Sequence, residues 1–339
     1  MNRSKGVQHS RLPIFLQVLT SPVGRALLAL LLVLLLGVIF NAEGAFFKIG
    51  THRDALRQAS VNGILACGMT LVIISGGIDL SVGSVVALVA VCFALMSIHW
   101  GWSPLLAVPL CLLIGAACGG ASGMLVAWGR LQPFIATLAM MVFARGLAKT
   151  ISGGMKVSTA IPNPDGTYQY VGVPSIFRFI DSRILGDNLS LVTVIFLICA
   201  AIAWLALSRH RWGRELYAIG GNEEAARLSG VPVPIAKLKA YIACGLFAAV
   251  AGMCQAAQEQ QGDPEAGIGY ELTAIAAVVI GGTSLMGGRG GVGLTLLGVL
   301  TIGYLDKILS INAVPEASRL MLTGIVIVVA TLAQRGRRG

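Results

Sequence analysis

The chain has 339 residues, of which 56% are hydrophobic and 12% charged. A soluble globule carries roughly 45–50% apolar and about 25% charged residues, so this composition, with a mean hydropathy of +0.82, excludes disorder and an ordinary soluble domain. The net charge of +10 raises a nucleic-acid partner, but no basic face remains once the apolar runs are set aside. An all-α polytopic membrane protein surrounded by lipid is expected.

A bilayer core of about 30 Å takes about 20 helical residues to cross. In chain order the qualifying runs are 24–47, 55–76, 78–98, 103–128, 133–151, 188–208, 236–261, 271–286, 292–308 and 317–334. They predict ten membrane helices in one transmembrane domain over 1–339. The first run, with basic residues before it and AEGA near its end, imitates a cleaved leader; the long preceding segment and the nine later spans favour an uncleaved helix. With the N-terminus inside, the inner segments hold 15 of the 25 basic residues and three of the 15 acids. The reverse orientation breaks the positive-inside rule. Both termini are therefore expected in the cytoplasm, with 1–23 an inner tail, 152–187 an outer loop and 209–235 an inner loop.

Between the second and third runs lies GGIDLSVG. Gly76 and Gly77 permit close approach or positive φ, and Asp79 can cap a helix starting at about Leu80. A lone acid near the membrane is also a candidate proton or cation relay, although no second acid or His is expected mid-span to serve it. VIISGGIDLSVG (72–83) resembles AVVIGGTSLMGG (277–288), placing Gly76 and Gly77 on Gly281 and Gly282. The offset spans six expected crossings, so the copies run in the same direction, as in transporters built from parallel repeats.

Seven cysteines run through the spans from the second onward: Cys67, Cys92, Cys111, Cys118, Cys199, Cys244 and Cys254. All lie in apolar stretches without a CxxC pair, and they read as small core residues rather than disulfides or zinc ligands. In the fifth run Arg145 and Lys149 are expected to snorkel to the outer interface.

The inner loop GRELYAIGGNEEAARLSGVPVPIAKLKAY is rich in helix punctuation. Asn222 is an N-cap, Glu223 and Glu224 suit the positive helix end, Glu223 and Arg227 pair at i,i+4, Gly230 serves as C′, and Pro232 prevents continuation. A helix of about two turns is marginal alone; it is either a solvated connector or an element that docks on a partner. Gln255, Gln258 and Glu259 share a face of the seventh run, and Gln58 and Asn62 a face of the second. Their amides suit sugar hydroxyls or interhelical hydrogen bonds, and both readings stand. The outer acids Asp165, Asp181, Asp187, Asp263 and Glu265 are candidates to meet a basic partner.

GRGGVG (288–293) matches GxGxxG but follows an apolar helix rather than a strand, and no P-loop, HExxH or GxSxG occurs. The chain reads as a transporter rather than an enzyme. An ion-coupled secondary transporter would want more intramembrane charge, and a membrane enzyme a catalytic cluster.

LACGMTLVIISGGIDLSVGSVVAL, LQPFIATLAMMVFARGLA, GRELYAIGGNEEAARLSGVPV and GYELTAIAAVVIGGTSLMGGRGGVG together resemble the permease subunits of ribose-type bacterial ABC sugar importers, from about residue 55 to 335. The resemblance implies import of a pentose, hexose or related polyol across the inner membrane. It implies a second permease copy or paralogue, a periplasmic sugar-binding protein, and a cytoplasmic ATP-binding subunit that holds ATP and Mg and docks on the segment matching 215–230. No cofactor is implied for this chain. Thr273 departs from the frequent YELDAIAAV, and Asp263–Pro264 from the usual QP.

Overall fold

The computed structural model describes residues 21–163 and 165–335. Most of the expected 1–23 tail, including Arg3, Lys5 and Arg11, lies outside the described residues, as do Arg337 and Arg338. Thirteen α-helices and two small ribbons are described: α1 (Pro22–Ile39), α2 (Ile49–Ile74), α3 (Val82–Ala94), α4 (Pro104–Ala127), α5 (Pro133–Ser152), α6 (Ser175–Ile180), α7 (Leu191–Ser208), α8 (Arg211–Gly221), α9 (Glu223–Leu228), α10 (Val233–Glu259), α11 (Tyr270–Gly281), α12 (Val292–Ile311) and α13 (Glu316–Arg335). In the long loop β1 (Ala160–Pro162) pairs antiparallel with β2 (Tyr168–Tyr170), and β3 (Arg183–Ile184) with β4 (Leu189–Ser190).

Eight of these helices are long and apolar enough to cross a bilayer, the third of them being α3 continued through a wide turn over Leu95–His99. The protein is an all-α, multi-pass membrane protein. Apolar side chains of α1, α4, α5 and α7 face outward, among them Leu31, Leu113, Phe143 and Ile202. In water such a surface would aggregate; in a bilayer it is the solvated face.

The core forms around α10, which packs most extensively on α4, α2 and α3. Its contact with α4 depends on Gly115, Gly119 and Gly123, spaced four apart. A Cβ on Gly115 would sit 2.6 Å from Ala249 Cβ, and one on Gly123 3.0 Å from Leu238 Cδ1 and Tyr241 Cβ. Small residues at this spacing let two membrane helices approach closely, so dispersion contacts replace the missing hydrophobic drive. The seven cysteines are free; six are buried and Cys92 half-buried.

Several spans differ from expectation. The run 24–47 is not one helix: α1 stops at Ile39, Asn41 Oδ1 accepts from Gly44 N at 2.8 Å, and Ala42, Glu43 and Gly44 have φ of 49°, 54° and 81°. The run 271–286 shrinks to the twelve residues of α11, about 18 Å long.

The shortening of α11 follows from how the chain reaches it. A Cβ on Gly262 would lie 2.6 Å from Ala90 O, and one on Gly267 2.6 Å from Gly83 O. Residues 262–267 therefore descend along α3 in irregular backbone toward the start of that helix. Gly252, nineteen residues into α10, meets Val86 O, so α3 itself begins about 20–25 Å along α10. The N-termini of α3 and α11 thus meet deep in the bundle. Irregular backbone at that depth persists only where protein or a polar cavity satisfies it.

Candidate functional site

Arg145 of α5 satisfies the descending segment. Its Nη1 donates to Pro264 O at 2.7 Å and to Ala266 O at 2.8 Å. Arg145 therefore does not snorkel outward as expected, because the carbonyls beside it offer what the interface would. Lys149, one turn on, pairs with Glu265 at 3.0 Å. Glu271 lies half-buried in the first turn of α11, where a carboxylate suits the positive helix end. The expectation that no acid other than Asp79 sits at depth is corrected by Glu271, since α11 begins inside rather than at the surface.

Asp79 is 1% exposed. Its Oδ1 accepts from Ser81 N at 2.9 Å and Ser81 Oγ at 2.6 Å. The helix it serves starts at Val82 rather than Leu80, with Asp79 closing an Asx turn ahead of it. Gly76 has φ +80° and Gly282 φ +107°. Gly77 and Gly281 instead make close contacts, to Tyr241 Oη and Leu294 O respectively. The aligned glycines thus exchange roles between the two turns, yet the turns touch, as Gly288 N donates to Ile74 O at 2.9 Å.

A cavity of about 600 Å³ opens between α2, α10, α11, α12 and α13. It brings together all four amides read from the sequence: Gln58, Asn62, Gln255 and Gln258. Gln258 donates to Arg57 O at 3.3 Å, Gln255 donates to Glu259, and Tyr270 Oη donates to Gln255 Oε1 at 3.4 Å. Gln58 is exposed to the cavity, and the buried Asn62 Oδ1 has no hydrogen-bond partner among the described residues. Thr273 also lines the wall, its hydroxyl returned to Gly269 O at 3.2 Å.

The opposite wall escaped the sequence reading. Asp306 and Arg319 pair across α12 and α13 at 3.0 Å, and Glu316 also lines the cavity. The signal was present as charges in otherwise apolar runs, but helical periodicity alone does not say which helices are neighbours. Arg57 is likewise paired, with Asp181. Both cavity arginines are thus neutralised, while Glu259 and Glu316 form no ion pair among the described residues. The lining favours neutral, hydroxyl-rich ligands over anions.

At the end of the bundle that carries residues 209–235, α8 and α9 are joined by Asn222 alone. Asn222 Oδ1 accepts from Ala225 N at 3.0 Å, so it caps α9 as the sequence indicates. The helix closes with Gly230 at φ +81°, Gly230 N donating to Arg227 O and Val231 N to Ala226 O, the double bond of a Schellman end. The expected Glu223–Arg227 pair is replaced. Arg227 bonds Glu224 at 2.5 Å, and Glu223 bonds Lys237 of α10 at 2.6 Å. Glu224 holds the Arg227 guanidinium above its ordinary pKa. Leu228 is 80% exposed. Tyr217 of α8 donates to Gly290 O at 2.9 Å, and burial raises its phenol above the usual value.

Four of the five outer acids are engaged within the chain. Asp181 and Glu265 are paired as above, Asp263 bonds Lys156 at 2.9 Å, and Asp165 accepts from Thr167 N and Oγ1 at 2.9 and 2.6 Å.

Residues 53–331 match the family model described as branched-chain amino acid transport system / permease component. The ribose import permease protein RbsC of Escherichia coli strain K12 is 40% identical over 311 residues, covering 91% of this chain and 92% of that protein. The fructose import permease protein FruG of Bifidobacterium longum is 34% identical, covering 91% and 90%. The xylose transport system permease protein XylH of Escherichia coli strain K12 is 31% identical, covering 90% and 89%. No solved structure matches the chain. Matched over most of its length by the family model and by these full-length relatives, the chain belongs to this permease family, and its resemblance to the ribose-type import permeases holds from α2 to α13.

Proposed function

We propose that this chain is the permease of an ATP-driven importer that carries a neutral pentose, hexose or related polyol across the bacterial inner membrane. The observation that carries the reading is the cavity lined by Gln58, Asn62, Gln255 and Gln258, with no unpaired cation among the described residues that line it. Its volume falls in the range of small-molecule sites. The relatives named for ribose, fructose and xylose support the same substrate class.

The end bearing Arg130, Arg209, Arg211, Arg214 and Arg289 faces the cytoplasm by the positive-inside rule, which places both termini there. A cytoplasmic ATP-binding subunit, holding ATP and Mg, docks on α9 through Asn222, Glu223, Glu224, Arg227 and Gly230. A periplasmic sugar-binding protein delivers substrate to the opposite end, and a second permease copy or paralogue completes the transporter. Hydrolysis belongs to the ATP-binding subunit; this chain supplies the passage and the turns at Gly76, Gly77, Asp79, Gly281 and Gly282.

The test is uptake of labelled ribose, fructose and xylose into liposomes holding the permease with its ATP-binding and sugar-binding subunits. Uptake should require ATP and survive collapse of ion gradients. Uptake driven by a proton or sodium gradient without ATP would overturn the proposal.

A further inference from the structure

Three backbone segments meet at the cytoplasmic end with no side chain between them. Gly220, in the last turn of α8, lies against Ile74 at the end of α2 and against Gly287 and Gly288 in the α11–α12 connection. A Cβ on Gly220 would overlap Ile74 O and Gly288 N, and a Cβ on Gly287 would sit 2.8 Å from Gly220 Cα and 2.9 Å from Gly76 N. Real Cβ atoms essentially never come closer than 3.0 Å. The neighbouring Gly221 is different, since a Cβ there would meet nothing within 4 Å.

This junction stands between two parts of the molecule already described. On one side, Asn222 ends α8 and caps α9, its N–H donating to Ala218 O at 3.0 Å. With one residue between them, the two helices have little freedom to move separately. On the other side, α2, α11 and α12 all contribute to the cavity, through residues such as Gln58, Thr273 and Ile302. Side chains can absorb a small displacement by changing rotamer, whereas backbone packed on backbone cannot.

We infer that Gly220 is a positioning residue for transport, the contact through which α8 and α9 move the cytoplasmic ends of the cavity helices. The inference rests on the reading of α9 as the ATPase contact. Tyr217, one turn earlier, anchors the same connection through Gly290 O. A shift of α9 is carried through Gly220 to both repeat-related turns together.

The test uses the complete transporter in liposomes, reading ATPase-subunit recruitment separately from sugar moved per ATP hydrolysed. Gly220→Ala should recruit the ATPase subunit as wild type does, with sugar per ATP falling about tenfold. Gly221→Ala should match wild type in both. Wild-type sugar per ATP in Gly220→Ala, or an equal loss in Gly221→Ala, would overturn the inference. Should Gly220→Ala fail to insert, Tyr217→Phe decides: lowered sugar per ATP supports the junction, and an unchanged ratio overturns it. Recruitment by the double variant Glu223→Lys with Glu224→Lys, measured in parallel, tests the docking reading independently.

Discussion

Arg145 Nη1 lies 2.7 Å from the carbonyl oxygen of Pro264, and the same nitrogen reaches Ala266 O at 2.8 Å. A cation inside the bundle therefore serves the irregular backbone that lets α11 begin at depth. Arg145→Leu leaves two carbonyls unsatisfied, each costing about 1–3 kcal/mol. The variant should unfold at a clearly lower temperature in detergent and lose uptake. Arg145→Lys, which keeps a donor without the planar fork, should recover part of both. Wild-type melting of Arg145→Leu would show that the carbonyls find water instead.

Asp79 accepts both hydrogen bonds from Ser81 on one oxygen. Asp79→Asn retains an oxygen for Ser81 N and Oγ and should keep most ATP-driven uptake, whereas Asp79→Leu should lose stability by about 1–3 kcal/mol along with transport. Loss of uptake in a correctly inserted Asp79→Asn protein would mean that the charge itself is used.

Glu223 and Glu224 sit on the positive end of α9 while pairing with Lys237 and Arg227. Both acids are exposed, although Lys237 is largely covered, so reversing them to Lys should leave insertion unchanged and lower the melting temperature only a little. ATPase recruitment should fall sharply and uptake should vanish. Normal sugar transport by the double variant would show that α9 is not the ATPase contact.

The cavity amides should separate binding from coupling. Gln58→Leu with Gln255→Leu is expected to reduce uptake of every sugar tested while recruitment of the ATPase subunit is untouched. Thr273→Asp adds a carboxylate to a cavity whose described arginines, Arg57 and Arg319, are already paired, and should change the ranking among ribose, fructose and xylose. An unchanged ranking would place selection in the sugar-binding protein alone.

The 152–187 loop is tied down by two pairs of opposite pH character. Hydrogen bonding to Asp263 raises the Lys156 ammonium above its ordinary 10.5, and hydrogen bonds from Thr167 lower Asp165 below its ordinary 3.8. The first tie is fully present below 10.5 and is lost as pH rises through the higher folded value. The second is present above 3.8 and is lost as pH falls through the lower one. Proteolysis or hydrogen exchange in this loop should therefore be flat between these limits and rise outside them. Lys156→Gln should remove the alkaline rise alone. A step near neutrality would mean that other groups hold the loop.

Much of this was legible along the chain. Composition settled the membrane, apolar runs located the long helices, and Asn222, Gly230 and Pro232 bounded α9 to within a residue or two, because caps are local chemistry between groups a few residues apart. The amides of α2 and α10 were visible as faces, since a helical face depends only on spacing. What only the tertiary structure decided were the relations between distant segments. The twelve residues of α11 depend on 262–267 packing along α3, which hydropathy does not record. Arg145 points inward because Pro264 and Ala266, over a hundred residues away, present carbonyls to it. Asp306 and Arg319 become cavity walls, and Gly220 becomes a junction, only when helices far apart in sequence are laid side by side. Periodicity reports which side of a helix is apolar; which backbone lies against it is set by packing, and there the structure alone distinguishes Gly220 from Gly221.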